Sequence, residues 1–150
     1  MRYCYFELEL IMKKFSILIV EDEVWVQANM SKELIKTLPI DTGLDFKFCD
    51  NLVEAIQLIQ VEVFDLISVD GKFREGVPGS TFNPNAGNQL IQALSKINFP
   101  GHVVFYSGND WQVDQMRSVL VNGRPVKAFS KSFGFDEDKW AQEVLKLLSA

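Results

Sequence analysis

Glu21, Asp22, Asp70, Ser107 and Lys131 each stand directly behind a short apolar run of this 150-residue chain. The acidic pair follows residues 15–20 (FSILIV), Asp70 follows 64–69 (FDLISV), Ser107 follows 102–106 (HVVFY) and Lys131 follows 126–130. Three carboxylates, a hydroxyl and an ammonium suit a charged oxygen ligand. Bare carboxylates resist being gathered: two of them about 4 Å apart repel by roughly 4 kcal/mol at an effective dielectric of 20. A hard divalent cation removes that repulsion, and an all-oxygen set of carboxylates and water suits Mg2+ better than a softer metal. The cation and Lys131 would then cradle a phosphoryl group, with Ser107 donating to one of its oxygens.

Each residue also has a plainer reading. An acid behind a strand often caps the next helix, a serine there often shapes a turn, and a lone lysine is usually solvated surface. The set matters only if the runs that carry it end side by side.

The elements that would position it can be read along the chain. Residues 15–20 form a continuous apolar run, the mark of a strand covered on both faces. Residues 24–38 follow with Val24, Ala28, Ile35 and Leu38 at helical spacing, stopped by Pro39. Residues 46–49 give a short second strand, and Asp50 or Asn51 can cap a helix carrying Leu52, Ala55, Ile56 and Ile59 on one face. Residues 64–69 are the third strand. From 70 to 87 the density of Gly and Pro excludes a helix. Helical spacing resumes at Leu90, Ile91, Leu94 and Ile97, and 102–106 make a fourth strand. A fourth helix is expected over 110–121, closed by Asn122–Gly123. A fifth strand spans 126–130, and Trp140, Val144 and Leu147 mark a last helix. Strands alternating with single helices need crossovers, hence a doubly wound, five-stranded parallel α/β sheet with helices on both faces. In such a sheet the carboxyl ends of the strands line one crevice.

Composition narrows the function. Lys plus Arg number 15 against 20 for Asp plus Glu, a net charge of −5 that disfavours a surface made to neutralise nucleic-acid phosphates. The single histidine and two cysteines, Cys4 and Cys49, exclude finger-type zinc sites and read as reduced cytoplasmic thiols. No apolar run approaches the ~18 residues of a membrane span. Glu7 and Glu9 interrupt the N-terminal stretch, so it does not read as a signal peptide.

Five segments, KFSILIVEDE (14–23), FDLISVD (64–70), NAGNQLI (85–91), VVFYSG (103–108) and FSKSF (129–133), resemble in order the receiver domain of two-component response regulators. Spacings of 48 positions from Asp22 to Asp70 and 24 from Ser107 to Lys131 fit that pattern, while the 37 from Asp70 to Ser107 is long. The resemblance implies a flavodoxin-like receiver fold over 12–150. It implies that Asp70 takes a phosphoryl group from the phosphohistidine of a histidine kinase or histidine phosphotransfer protein. Glu21, Asp22, Asp70 and the backbone carbonyl of Lys72 would hold Mg2+, Ser107 would be the switch hydroxyl, and Lys131 would pair with the phosphate. Phosphorylation would then bias the face made by the fourth helix, fifth strand and fifth helix.

Several positions depart from the family. Lys131 is followed by Ser132 instead of the usual proline, which removes the X-Pro bond expected in cis. The switch aromatic position falls on Ala128 and Phe129 would point to the other face, so either output uses another group, with Tyr106 a candidate, or the coupling is altered. Asp70 to Gly87 takes 17 positions where receivers use about eight, an insert of about nine residues near 74–84 that either lids the site or decorates the surface. Residues 1–11 read as a leader, either an upstream start ahead of Met12 or an added edge strand.

The expected function is therefore a stand-alone cytoplasmic response regulator. It would be a phosphoacceptor with slow self-dephosphorylation and no metabolic activity, signalling to a downstream protein target, with a homodimer left open. The alternative is a receiver-like interaction module that is not phosphorylated. A Mg2+-dependent phosphohydrolase is disfavoured because Gly71 and Lys72, not a second acid, follow Asp70.

Overall fold

A computed structural model describes residues 13–38, 42–76, 82–132 and 134–149. The leader at 1–11 and the centre of the insert lie outside them. Five parallel strands form the central sheet: β1 (Lys13–Val20), β2 (Thr42–Cys49), β3 (Leu66–Asp70), β6 (His102–Ser107) and β9 (Lys127–Ser130). Their order is β2-β1-β3-β6-β9. Around them run α1 (Val24–Thr37), α2 (Leu52–Val61), α3 (Ala86–Lys96), α4 (Asp110–Met116) and α5 (Glu137–Ser149). Two small hairpins complete the fold, β4 (Phe73–Arg74) with β5 (Phe82–Asn83), and β7 (Leu120–Val121) with β8 (Arg124–Pro125). The doubly wound α/β reading holds.

The period of two along each central strand divides the core. Leu18, Val20, Ile67, Val69, Val103 and Phe105 face α2, α3 and α4. Ile17, Ile19, Leu66, Val104 and Tyr106 face α1 and α5. Because both faces are covered, β3 is buried at every position and can carry no polar alternation except where a partner exists. Ser68 has one: its Oγ accepts from Trp140 Nε1 at 3.0 Å, tying α5 to the sheet.

Four local expectations are corrected. β2 is twice as long as 46–49, pairing with β1 over Thr42–Cys49. Gly43 and Asp45 hide it, and they are tolerated because β2 is an edge strand. α1 forms as expected but buries Val26, Met30 and Leu34, strictly four apart, while Val24 and Ile35 point to solvent. The stretch after Asp70 is not wholly irregular, since β4 and β5 pair within it. α4 ends at Met116 instead of Val121. Asn122 (φ 52) and Gly123 (φ 79) are both left-handed, so they make the two-residue turn of the β7–β8 hairpin and do not cap a helix.

Candidate functional site

The crevice forms where β1, β3, β6 and β9 end together. Glu21 N donates to Cys49 O at 3.0 Å, which carries the β1–β2 pairing one residue past Val20 and turns the acidic pair inward. Asp70 is the last residue of β3 and Ser107 the last of β6. Lys131 N donates to Ser107 O at 2.8 Å, extending the β6–β9 pairing to the lysine. One carboxylate oxygen each of Glu21, Asp22 and Asp70 lies within 4.8 Å of the others. Lys131 Nζ donates to Asp70 Oδ1 at 3.0 Å. Asp70, Lys72, Pro84, Ser107, Gln112 and Lys131 border a cavity of about 390 Å3. Every side chain expected at the site borders it or joins the acidic cluster, with Lys72 at the rim.

The electrostatics of the acidic cluster follow from burial and crowding. Burial first, and then the neighbouring Asp70 carboxylate, push the Glu21 carboxyl up to about 8 against a hydrogen bond from Tyr106 that favours its charged form. Asp22 is raised for the same two leading reasons, burial and Asp70. Asp22 is not a helix cap, because Glu23 holds that position in α1. Its Oδ2 is buried without a hydrogen-bond partner. A buried oxygen without a donor, set among carboxylates with no softer ligand, fits a hard divalent cation.

Ser107 and Tyr106 are placed less simply. Ser107 is buried; its Oγ donates to Gln112 Oε1 at 2.8 Å and accepts from Asn109 N at 3.0 Å. Gln112 is invisible to motif reasoning, since a glutamine on a helix carries no site signal of its own. Tyr106 is fully buried, donates to Glu21 Oε2 at 2.8 Å, and lies 4.7 Å from the Phe135 ring. Ala128 faces the α2–α4 layer and Phe129 the other, as strand alternation requires.

Lys131 is held without a proline behind it. Ser132 Oγ and Ser130 Oγ lie 2.9 Å apart, and Ser130 Oγ donates to Asp110 Oδ1 at 2.5 Å, fastening the end of β9 to the start of α4. The feet of the insert are also fixed. Phe73 is completely buried, Arg74 bridges to Asn51, and Val53 N donates to Glu75 O at 3.0 Å. Asn83 Nδ2 donates to Glu75 Oε2 at 2.6 Å and to Gln89 Oε1 at 3.0 Å.

The fold built on this sheet recurs among solved structures. The receiver domain of the Francisella response regulator 1452 superposes with a TM-score of 0.66 at 19% identity, over 90% of this chain and 97% of that one. The fold is that of a response-regulator receiver domain. A CheY-like receiver domain protein from Methanospirillum hungatei gives a TM-score of 0.64 at 16% identity, over 92% of this chain and 94% of that one. The Mn2+-bound form of response regulator Rcp1 gives 0.60 at 19% identity, over 87% and 91%. By sequence, no family model and no curated protein matches the chain. Among the described residues no helix of this receiver fold is long and apolar enough to cross a membrane.

Proposed function

We propose that the protein is a response regulator that accepts a phosphoryl group on Asp70 from the phosphohistidine of a histidine kinase or histidine phosphotransfer protein. The observation that carries this reading is the pairing of Asp70 Oδ1 with Lys131 Nζ at 3.0 Å beside the Glu21–Asp22–Asp70 cluster. The second Asp70 oxygen is then the nucleophile. It forms the new P–O bond as the P–N bond of phosphohistidine breaks; the electron pair of that bond returns to the ring, which, protonated on its other nitrogen, leaves as neutral imidazole. Lys131 takes up the charge that grows on the phosphoryl oxygens, and Ser107 donates to one of them after the transfer.

Glu21, Asp22, Asp70 and the carbonyl of Lys72 are the ligands we assign to Mg2+, which when bound supplies charge neutralisation for the incoming phosphoryl group. The Mn2+-bound Rcp1 structure, which shares this fold, supports a divalent cation. Output passes through contacts with a downstream protein target.

The test is incubation with Mg2+ and acetyl phosphate followed by intact mass measurement. One added phosphate is expected, absent in Asp70→Asn. No adduct from acetyl phosphate or any histidine kinase would favour the second reading, an interaction module that is not phosphorylated. The engagement of the Ser107 hydroxyl by Gln112 is the observation on that side.

A further inference from the structure

We infer that Gln112 is a positioning residue that couples the Ser107 hydroxyl to the insert, so that phosphorylation at Asp70 is read out at the segment 82–87. The inference rests on the phosphoacceptor reading above and names where its signal leaves the site. Gln112 is 6% exposed, and both ends of its amide are used. Oε1 accepts from Ser107 Oγ at 2.8 Å, and Nε2 donates to Pro84 O at 3.0 Å. Pro84 joins β5 to α3 and so closes the insert. The amide is therefore a two-ended tie between the hydroxyl beside the nucleophile and the point where the insert returns to the fold.

A hydroxyl has one proton to donate. That of Ser107 is given to Gln112, while its acceptor side is occupied by Asn109 N. To donate to a phosphoryl oxygen on Asp70, Ser107 must release Gln112 Oε1. A buried amide oxygen left without a donor is unfavourable, so the Gln112 side chain turns to find another. Turning the planar amide moves Nε2 as well, and the bond to Pro84 O is lost with it. Gly71, the residue after the nucleophile, backs the pair: a Cβ there would stand 2.7 Å from Ser107 Oγ and 2.8 Å from Gln112 Oε1, so only a residue without one leaves the two side chains their place. The other ties of the segment, the β4–β5 pairing, Asn83 Nδ2 to Glu75 Oε2 at 2.6 Å, Asn85 N to Asn83 Oδ1 at 2.9 Å and Gly87 N to Gly71 O at 3.2 Å, do not pass through Gln112. They report the loss of the Pro84 anchor by faster amide exchange.

Hydrogen–deuterium exchange of the full chain, in Mg2+ alone and in Mg2+ with beryllofluoride, reads this directly. Phosphate uptake from acetyl phosphate is measured on the same preparations. In the unsubstituted protein, beryllofluoride should speed exchange over 82–87 by about five-fold or more. Gln112→Met lacks both ends of the tie; it should exchange fast in Mg2+ alone, show no further response there, and take up phosphate faster. Gln112→Glu keeps an acceptor for Ser107 but no donor for Pro84, so exchange should be fast while phosphate uptake is not accelerated.

A purely structural role would raise exchange through α4 in the variants and leave the beryllofluoride response of 82–87 intact. That result overturns the coupling. So does an unsubstituted protein that takes up phosphate with 82–87 unchanged. A chain that takes up no phosphate overturns the phosphoacceptor reading, and the coupling falls with it.

Discussion

The Tyr106 hydroxyl donates to Glu21 Oε2 at 2.8 Å, joining the end of β6 to the end of β1 across the intervening β3. Tyr106 is fully buried on the α1–α5 side, with Phe135 against its ring. It is thus engaged at the acidic cluster, where a donor to a carboxylate favours the charged, cation-binding form.

Replacing Tyr106 with Phe keeps the ring packing and removes only that donor. Loss of one buried hydrogen bond to a carboxyl should lower stability by about 1–2 kcal/mol. Mg2+ affinity should fall roughly ten-fold, as for a removed outer partner of a metal ligand. Urea unfolding and a Mg2+ titration followed by tryptophan fluorescence measure the two effects. An unchanged Mg2+ affinity would show that Tyr106 serves packing alone.

The raised Glu21 carboxyl makes metal-free stability pH-dependent. Its folded value of about 8 lies above the ordinary 4.5, so the folded state binds the extra proton between those limits. The stability it contributes is complete below about pH 4.5 and is lost as pH rises through about 8. Asp22, shifted in the same direction, adds to the slope. Saturating Mg2+ should flatten it, because the cation favours the ionised carboxylates. Thermal melts against pH, with Glu21→Gln as the control that removes most of the slope, test this.

Lys131→Met separates the role of the ammonium in the fold from its role in transfer. Asp70 is almost fully buried while Lys131 is one-quarter exposed, so the cost of the unpaired carboxylate is about 1–3 kcal/mol in the metal-free protein. Saturating Mg2+ should restore most of that stability. Phosphate uptake should still fall by about ten-fold or more, because the charge on the phosphoryl oxygens loses its partner. Recovery of both properties with Mg2+ would confine Lys131 to a structural part.

Gly87→Ala sets two effects against each other. An alanine inside α3 gains about 1 kcal/mol in helix propensity. Its Cβ, however, would stand 2.4 Å from Asp70 O and 2.9 Å from Gly71 Cα, backbone atoms that cannot swing aside. Overpacking wins, and a net loss of about 2 kcal/mol is expected in urea unfolding. A stabilised variant would mean that α3 can withdraw from the end of β3 freely.

The parts of the fold that the sequence reveals are those buried on both faces. β1, β3 and β6 carry apolar runs because residues 17–20, 66–70 and 103–107 are buried, and the acids and hydroxyl at their ends are found by following the runs. Edge and surface elements hide. β2 carries Gly43 and Asp45 where no neighbour demands otherwise, and α1 displays Val24 and Ile35 outward, so its apolar residues mislead about which face is buried. The Asn122–Gly123 pair did contain its own signal, since that dipeptide favours the primed turn of a two-residue hairpin. Phe73 and Gln112 could not be singled out. The burial of one and the two bonds of the other arise only when distant elements meet.

The placement of the site's charges along the chain has a consequence for folding during synthesis. Glu21, Asp22 and Asp70 all belong to the first half of the sequence, in a three-stranded unit, β2-β1-β3, whose neighbours are also close in chain order. Lys131 follows Asp70 by 61 positions and reaches it only after β6 and β9 have been added. A nascent chain folding from its N-terminus would therefore gather three acids before the ammonium that balances them has emerged. Over that interval, intracellular divalent cations are the counter-charge at hand. The cation proposed for the finished site would act first as a chaperone for its own binding site.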